Sequence, residues 1–135
     1  MPTATFPGRF SSLAEIAQFV TQAAATAGLD PKAAYAVQLA VDEACSNIIE
    51  HAYGGEDRGQ IECTCDVTPR GLRIELRDQG ESFQPENIPD PNIHVPLDDR
   101  TSGGLGLFLI RKMMDEVSYE PDREGENVLT LVKKK

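Results

Sequence analysis

A chain of 135 residues is long enough for one domain with a sizeable hydrophobic core. Its formal charge of -9 disfavours nucleic-acid binding through a phosphate-neutralising patch, but it is compatible with a nucleotide carrying Mg²⁺ or with a basic protein partner. The sequence lacks a run of ~18 apolar residues and a signal-peptide core, so we expect a cytoplasmic protein without a membrane partner.

The first half of the chain predicts a short strand and two helices. Residues 1–10 can hold an edge strand, and apolar residues at i, i+3 and i+4 predict an amphipathic helix over 11–28. Asp30-Pro31 combines an N-cap with a first-turn proline, which indicates the start of a second helix. We expect that helix to extend to about Tyr53, because Gly54-Gly55 follow.

The second half predicts strands around one further helix. Alternating apolar residues favour a β-hairpin over 59–78. Residues 84–102 contain four prolines and no periodicity, which is typical of a lid or binding loop. An apolar helix is predicted from Leu105 to Met114, and strands over 117–119 and 128–132 complete the sheet.

The order of these elements predicts the fold class. Helices come first, and a mostly antiparallel mixed sheet with one inserted helix follows. This order favours an α/β (α+β) two-layer sandwich with the helices on one face of the sheet. The sequence shows no internal repeat and no domain boundary, so we expect a single domain over 1–135.

The three cysteines indicate a structural role. Cys63 and Cys65 alternate with polar residues on one face of a predicted strand, and Cys45 lies in an apolar helix. Free cysteine is commonly a small buried residue. A metal site would need more ligands than a C-x-C pair supplies, and His51 and His94 are not at zinc-finger spacing.

Glu43 and Asn47 are the most informative polar residues. They lie one helical turn apart in a segment otherwise rich in Ala, Val and Ile, so they share one edge of the predicted helix. The oxygen of an Asn carboxamide can coordinate Mg²⁺, and a nearby Glu can take a proton from an attacking hydroxyl or water. The alternative is a polar edge that faces solvent, for which Glu50 would be another example.

Asp78-Gln79-Gly80 follows the predicted hairpin. A carboxylate at the end of a strand can accept a hydrogen bond from an exocyclic amine such as adenine N6, and Gly80 would let a ligand approach the backbone. The alternative is an ordinary turn with Asp and Gly at their usual positions.

The third motif is Gly103-Gly104-Leu105-Gly106-Leu107, which begins the predicted helix after the loop. Exposed N–H groups at a helix start, together with the helix dipole, suit a phosphate group. No Gly-Lys-Ser/Thr follows, so this is not a Walker A loop, and a flexible hinge is the alternative. In order and at their observed spacing, the three motifs are more specific than any one of them.

This ordered set resembles the motifs of the GHKL ATPases, and most closely those of the small anti-sigma-factor serine/threonine protein kinases with a histidine-kinase-like ATPase domain. Residues 41–53, which include Val41-Asp42-Glu43 and Asn47, resemble the N box. Asp78-x-Gly80-x-x-Phe83 resembles the G1 box, and residues 103–107 resemble the G2 box.

The resemblance implies a role for each motif. Asn47 would bind Mg²⁺ beside ATP, and Glu43 would be the general base. Asp78 would hold adenine N6, with Gly80 beside the ring. The phosphates would be cradled by the G2 segment (Gly103, Gly104, Leu105, Gly106 and Leu107), and residues 84–102 would form the ATP lid.

The resemblance also implies partners. In this family the γ-phosphoryl group goes to a Ser or Thr of an anti-anti-sigma protein of the STAS fold. A sigma factor competes for the kinase, which is commonly a homodimer. Sigma binding rests on the resemblance alone. Two residues depart from the family pattern: Ser82 stands where a second glycine is frequent, and Asn127 stands where the last strand usually has Thr.

Two other functions are weighed against the kinase. A non-catalytic module could use ATP only to shape a surface for a sigma factor or another regulator. Glu43 favours the kinase, because nucleotide binding alone needs no base. A catalytic fragment of a histidine kinase is disfavoured, because residues 13–27 are expected in the domain's own core and leave no room for a phospho-histidine helix.

Overall fold

The computed structural model describes residues 2–82 and 104–135, with only the backbone at 104–107. In chain order these residues form strand β1 (Thr3–Pro7), a 3-10 turn (Phe10–Ser12), helices α1 (Leu13–Thr26) and α2 (Pro31–Asn47), a π-helical turn (Ile48–Ala52), strands β2 (Gln60–Thr68) and β3 (Gly71–Asp78), helix α3 (Gly104–Met113), and strands β4 (Glu116–Arg123) and β5 (Glu126–Lys134). The predicted order of helices and strands is confirmed. The predicted lid over 84–102 lies outside the described residues.

The five described strands form one sheet in the order β1-β2-β3-β5-β4. Their four pairings are all antiparallel, whereas a mostly antiparallel mixed sheet was expected. The hairpin β4–β5 places β5 between β3 and β4. The strands β3 and β4 point in the same direction and are therefore not paired with each other. As a result, the residue that ends β3, Asp78, lies directly opposite Asn127 of β5.

The alternation of side chains separates the two faces of the sheet. Apolar residues of β2, β3 and β5 are buried against α1 and α2 in a single core (among them Ile61, Ile74, Leu76, Leu131, Ile16, Val20, Val37 and Val41). The other face carries ion pairs, in which Arg77 contacts Glu75 at 2.7 Å and Glu62 at 3.4 Å. This arrangement confirms the predicted two-layer sandwich. Successive side chains of a strand point to opposite faces of the sheet, which explains why one face is apolar and packs against the helices and the other is polar.

The end of α1 and the start of α2 lie at the predicted signals, whereas α2 ends at Asn47 rather than at about Tyr53. α1 ends before Gly28, which has a φ of +80°, a conformation that glycine adopts without strain. The carboxylate of Asp30 accepts a hydrogen bond from Ala33 N at 2.8 Å, so Asp30 is the N-cap of α2. None of the described helices is long and apolar enough to cross a membrane.

The three cysteines are buried, as predicted. Cys45 projects from α2 into the core, and Cys63 and Cys65 project from β2; all are fully inaccessible to solvent. Burial is the main cause that raises the pKa of the Cys45 thiol. These residues therefore contribute small apolar groups to the core.

The second helix changes its geometry immediately after Asn47. The chain continues as a π-helical turn, in which Tyr53 N donates to the carbonyl oxygen of Ile48 at 2.9 Å. Gly54 and Gly55 then end it with positive φ angles of 73° and 147°. Such turns inside helices are frequent at functional sites. Here the turn carries Ala52 and Tyr53 to the end of the neighbouring strand β3.

Candidate functional site

The edge of α2 that bears Glu43 and Asn47 is half-buried, whereas Val41, Ala44 and Cys45 beside them are buried. Among the described residues, neither the Glu43 carboxylate nor the Asn47 carboxamide has a hydrogen-bond or ion-pair partner. Their four-residue spacing places them on one side of the helix. A half-buried carboxylate and a half-buried carboxamide thus lie on one side of α2 without a partner in the described part of the chain.

Asp78 is almost fully buried, with 4% of its surface exposed. Its Oδ1 accepts hydrogen bonds from Gly80 N and from Asn127 Nδ2, each at 2.9 Å. Burial is the main cause that raises the pKa of the Asp78 carboxyl, whereas these two hydrogen bonds act in the opposite direction. Both hydrogen bonds from described residues reach Oδ1, so Oδ2 is the oxygen left for a donor from a ligand.

Gly80 lies against the end of the π-helical turn. A Cβ at this position would lie 2.5 Å from the carbonyl oxygen of Ala52, so no larger residue fits without a backbone shift. The next residue, Glu81, donates its N–H to the same oxygen at 2.7 Å. The close approach of Ala52 thus explains why position 80 is a glycine. Its predicted place beside an adenine ring stays a prediction.

Tyr53 makes a second link between the two segments. Its hydroxyl donates to Gln60 O at 2.6 Å and accepts from Gln79 N at 3.0 Å. Its ring lies over Gly59, where a Cβ would be 2.3 Å from a ring carbon. Sequence reasoning assigned Tyr53 no role, although a tyrosine directly before Gly-Gly, two residues after the N-box histidine, was the available signal.

Asn127 and Ser82, the two departures from the family pattern, contact each other. Ser82 Oγ donates to Asn127 Oδ1 at 2.6 Å, although the residues lie 45 positions apart. Asn127 is 2% exposed, and its carboxamide also contacts Asp78 and Gly80. The sequence did not indicate that one contact joins them, because the register of β5 against β3 is set by the fold.

The glycine-rich motif begins α3. The helix starts at Gly104 and packs against α2, one residue before the predicted start at Leu105. Gly103 and the side chains of residues 104–107 lie outside the described part of the chain. A phosphate cradle at this helix start therefore stays a prediction.

The chemistry of the site suits Mg²⁺ through few protein ligands. No group of three His, Cys, Asp or Glu side chains in residues 2–82 and 104–135 is arranged to hold a metal. His51 is exposed, and its Nε2 lies 3.8 Å from the Glu50 carboxylate. Mg²⁺ is commonly held by one or two protein oxygens together with phosphate oxygens and water. The half-buried carboxamide of Asn47 fits that requirement.

Comparison with known proteins decides the family. The profile of the histidine kinase-like ATPase domain matches residues 6–133 of this chain. The chain belongs to the histidine kinase-like ATPase domain family. Its five-stranded sheet with helices on one face is the fold of this family, as predicted.

Several relatives of this histidine kinase-like ATPase domain carry kinase names. The chain is 35% identical over 97 residues to the serine/threonine-protein kinase BtrW of Bordetella bronchiseptica, covering 72% of this chain and 68% of BtrW. It is 35% identical over 88 residues to the serine-protein kinase RsbW of Bacillus velezensis, covering 62% of this chain and 55% of that protein. It is 36% identical to the serine-protein kinase RsbW of Bacillus cereus, and this match covers 69% of this chain and 59% of that protein. The chain thus spans between about half and two thirds of these relatives.

A solved structure supports the same fold. The histidine kinase domain of the blue-light activated histidine kinase from Erythrobacter litoralis superposes with a TM-score of 0.56 at 17% identity. The match covers 93% of this chain and 59% of the other. At this identity the likeness concerns the fold of the ATPase domain.

Proposed function

We propose that this single domain, residues 1–135, is an ATP-dependent serine/threonine protein kinase that acts as an anti-sigma factor in a partner-switching circuit. One observation carries the proposal: Glu43 and Asn47 lie half-buried and without described partners on one edge of α2. A module that only binds ATP would not need Glu43. The RsbW and BtrW names of its relatives support the same reaction class.

Asp78, Asn47 and the start of α3 would bind the nucleotide. The buried Asp78 carboxylate would accept a hydrogen bond from adenine N6 through Oδ2, because Oδ1 is already occupied. Asn47 would hold Mg²⁺ through its carboxamide oxygen. Backbone N–H groups of the segment 103–107 would cradle the phosphates, since a helix N-terminus favours anions. When bound, Mg²⁺ would neutralise phosphate charge.

Glu43 would serve as the general base in phosphoryl transfer. Its carboxylate would take the proton of a Ser or Thr hydroxyl of the partner protein. The hydroxyl oxygen would form a bond to the γ-phosphorus, and the bond from that phosphorus to the bridging oxygen of ADP would break. The products are a phosphorylated partner, ADP and a proton held by Glu43.

The partners follow from the resemblance to the anti-sigma-factor kinases. The phosphorylated protein would be an anti-anti-sigma protein of the STAS fold, and a sigma factor would compete with it for the kinase. The acidic net charge of -9 is compatible with a basic sigma-factor surface. A homodimer and a cytoplasmic location belong to the same proposal.

The test is transfer from γ-labelled ATP, with Mg²⁺, to purified STAS-domain proteins of the same genome. We expect label on a Ser or Thr of one of them. Glu43→Gln should still bind ATP but lose at least about 100-fold in transfer rate, the usual contribution of a general base. The matched control is Glu50→Gln, because Glu50 is an exposed carboxylate in the adjoining turn.

The outcomes separate the two candidate functions. Normal transfer by Glu43→Gln would move the base elsewhere. ATP binding by the wild-type protein with no transfer to any STAS-domain protein would contradict the kinase and favour the non-catalytic, ATP-gated binding module.

A further inference from the structure

The carboxamide of Asn127 uses all of its hydrogen-bonding capacity at the end of β3. Nδ2 donates to Asp78 Oδ1 at 2.9 Å and to Gly80 O at 3.0 Å. Oδ1 accepts from Ser82 Oγ at 2.6 Å and from Asp122 N at 3.0 Å. A carboxamide has two donor hydrogens and two acceptor lone pairs, so the group is saturated. Such a buried, fully paired group has one defined orientation.

The surroundings fix which end of the carboxamide faces Asp78. If the carboxamide were flipped, its NH₂ group would face the Asp122 N–H, and its oxygen would face the carboxylate and the Gly80 carbonyl. Each contact with a group that can only donate or only accept would then be repulsive. The Asp122 N–H is available for this contact because Asp122 lies in the irregularity between Glu120 and Arg123, where it is not paired in the β4–β5 ladder. The hairpin β4–β5 therefore helps to orient Asn127.

Asp78 needs such support because rotation of a carboxylate about its last bond meets no sharp barrier. Gly80 N and Asn127 Nδ2 both hold Oδ1, and Asn127 also holds the carbonyl of Gly80. These hydrogen bonds thus fix both ends of the turn, the side chain of Asp78 and the backbone of Gly80. Oδ2 is left in one fixed position.

We propose that Asn127, held by Ser82, is a positioning residue that fixes Asp78 for recognition of a 6-amino purine. The proposal rests on the ATP binding proposed above and names the residues that set its base selectivity. Asn127 orients the carboxylate of Asp78, and the hydrogen bond from Ser82 holds Asn127 in place. The two departures from the family pattern thus form one unit in this chain.

The test measures base selectivity rather than affinity alone. The probes are ATP and purine ribonucleoside triphosphate, which lacks only the 6-amino group. In the wild-type protein we expect ATP to bind about 10- to 100-fold more tightly, the usual effect of a hydrogen bond to a charged group. In Asn127→Ala the ratio of the two dissociation constants should fall below about 3-fold, because Asp78 loses its fixed orientation.

Ser82→Ala provides a milder second variant in case Asn127→Ala folds poorly. Ser82 is exposed, so its hydroxyl can be removed without opening the core. We expect the ratio to fall by about 2- to 5-fold, and Ser82→Ala should have no further effect on the ratio in the Asn127→Ala background. Thr21→Val is the control: it removes a side-chain hydrogen bond to Ala17 O on α1, and the ratio should stay at the wild-type value.

Each other outcome contradicts part of the scheme. If Asn127→Ala weakens both nucleotides by the same factor, the residue has only a structural role and the inference is wrong. A wild-type ratio near 1 with tight ATP binding would overturn the inference and the role of Asp78, but not ATP binding. If the wild-type protein binds neither nucleotide, the proposed function fails and this inference fails with it.

Discussion

The N–H of Glu81 donates a hydrogen bond to the carbonyl oxygen of Ala52 at 2.7 Å. Ala52 ends the π-helical turn that follows Asn47, and Glu81 lies just beyond the Asp78–Gly80 turn. This contact therefore joins the helix proposed to carry the metal ligand and base to the strand end proposed to hold adenine. The Tyr53 hydroxyl reinforces the joint through Gln79 N. A change at this joint should alter both halves of the site together.

Gly80→Ala should disturb this joint directly. The new Cβ would lie 2.5 Å from Ala52 O, so one of the two segments must move. We expect a loss of about 1–3 kcal/mol in the free energy of unfolding, the usual cost of forcing extra atoms into a packed site. ATP affinity should fall by at least about 10-fold, because a misplacement of Asp78 loses most of one hydrogen bond to a charged group. Urea denaturation and titration calorimetry measure the two effects.

Gly28→Ala is the matched control for this variant. Gly28 has a φ of +80° and lies at the end of α1, where a Cβ would meet, among the described residues, only the flexible side chain of Lys135 within 4 Å. The variant should cost about 1–2 kcal/mol through backbone strain and leave ATP affinity unchanged. If Gly80→Ala behaves in the same way, the joint does not position the site.

Tyr53→Phe should loosen the same joint more gently. The variant keeps the ring over Gly59 but removes the hydroxyl that donates to Gln60 O and accepts from Gln79 N. We expect a loss of about 1–2 kcal/mol in the free energy of unfolding, because two hydrogen bonds disappear from a partly exposed position. Tyr35→Phe is the control, since Tyr35 is 59% exposed. Equal stability of the two variants would show that the Tyr53 hydroxyl contributes nothing.

Local patterns predicted most of the fold. The alternation over 59–78 predicted the hairpin, because burial on one face leaves only one register for the strands. β4 was predicted only over 117–119, whereas in the structure Pro121 and Asp122, which has a positive φ, lie within the strand. In the structure an irregularity absorbs both, and β4 extends to Arg123.

The site was predicted only in its parts. The shared edge of Glu43 and Asn47 was predictable because a helix places residues four apart on one side, and their roles in a site stay predictions. The contact between Ser82 and Asn127 was not predictable, because it depends on the position of β5 beside β3 rather than on any local spacing. The π-helical turn was missed for a related reason: it is stabilised by the contacts that Ala52 and Tyr53 make with distant residues.

The thiols offer a measure of how closed the core is. Burial raises the pKa of Cys45, and only the thiolate form of a cysteine reacts readily. We expect none of the three thiols to react with Ellman's reagent within minutes at pH 8 in the folded protein, and all three to react in guanidinium. Ser11→Cys, at an exposed position, should add one fast thiol as a positive control. Rapid reaction of any native cysteine would mean that the core opens easily.

Asp78→Asn should lower the affinity for ATP and raise the free energy of unfolding relative to the wild-type protein. Burial raises the pKa of Asp78 in the folded protein, so the folded state binds this proton more tightly than the unfolded state does. The contribution of Asp78 to the free energy of unfolding therefore falls as pH rises from its ordinary pKa of 3.8 through its higher folded pKa. The carboxamide of the variant does not titrate. The stability advantage of the variant should grow with pH across this window and stay constant above it.

Urea denaturation of the two proteins between pH 3.5 and 7.5 measures this difference. Asp42, whose pKa is also raised by burial, is present in both proteins and cancels. In the variant the oxygen would keep the hydrogen bonds from Gly80 N and Asn127 Nδ2, so an NH₂ group would replace Oδ2. That group would face the adenine amine, and ATP affinity should fall about 10- to 100-fold. A stability difference that does not change with pH would show that the carboxylate is not held in a desolvated position, and unchanged ATP affinity would remove Asp78 from the nucleotide site.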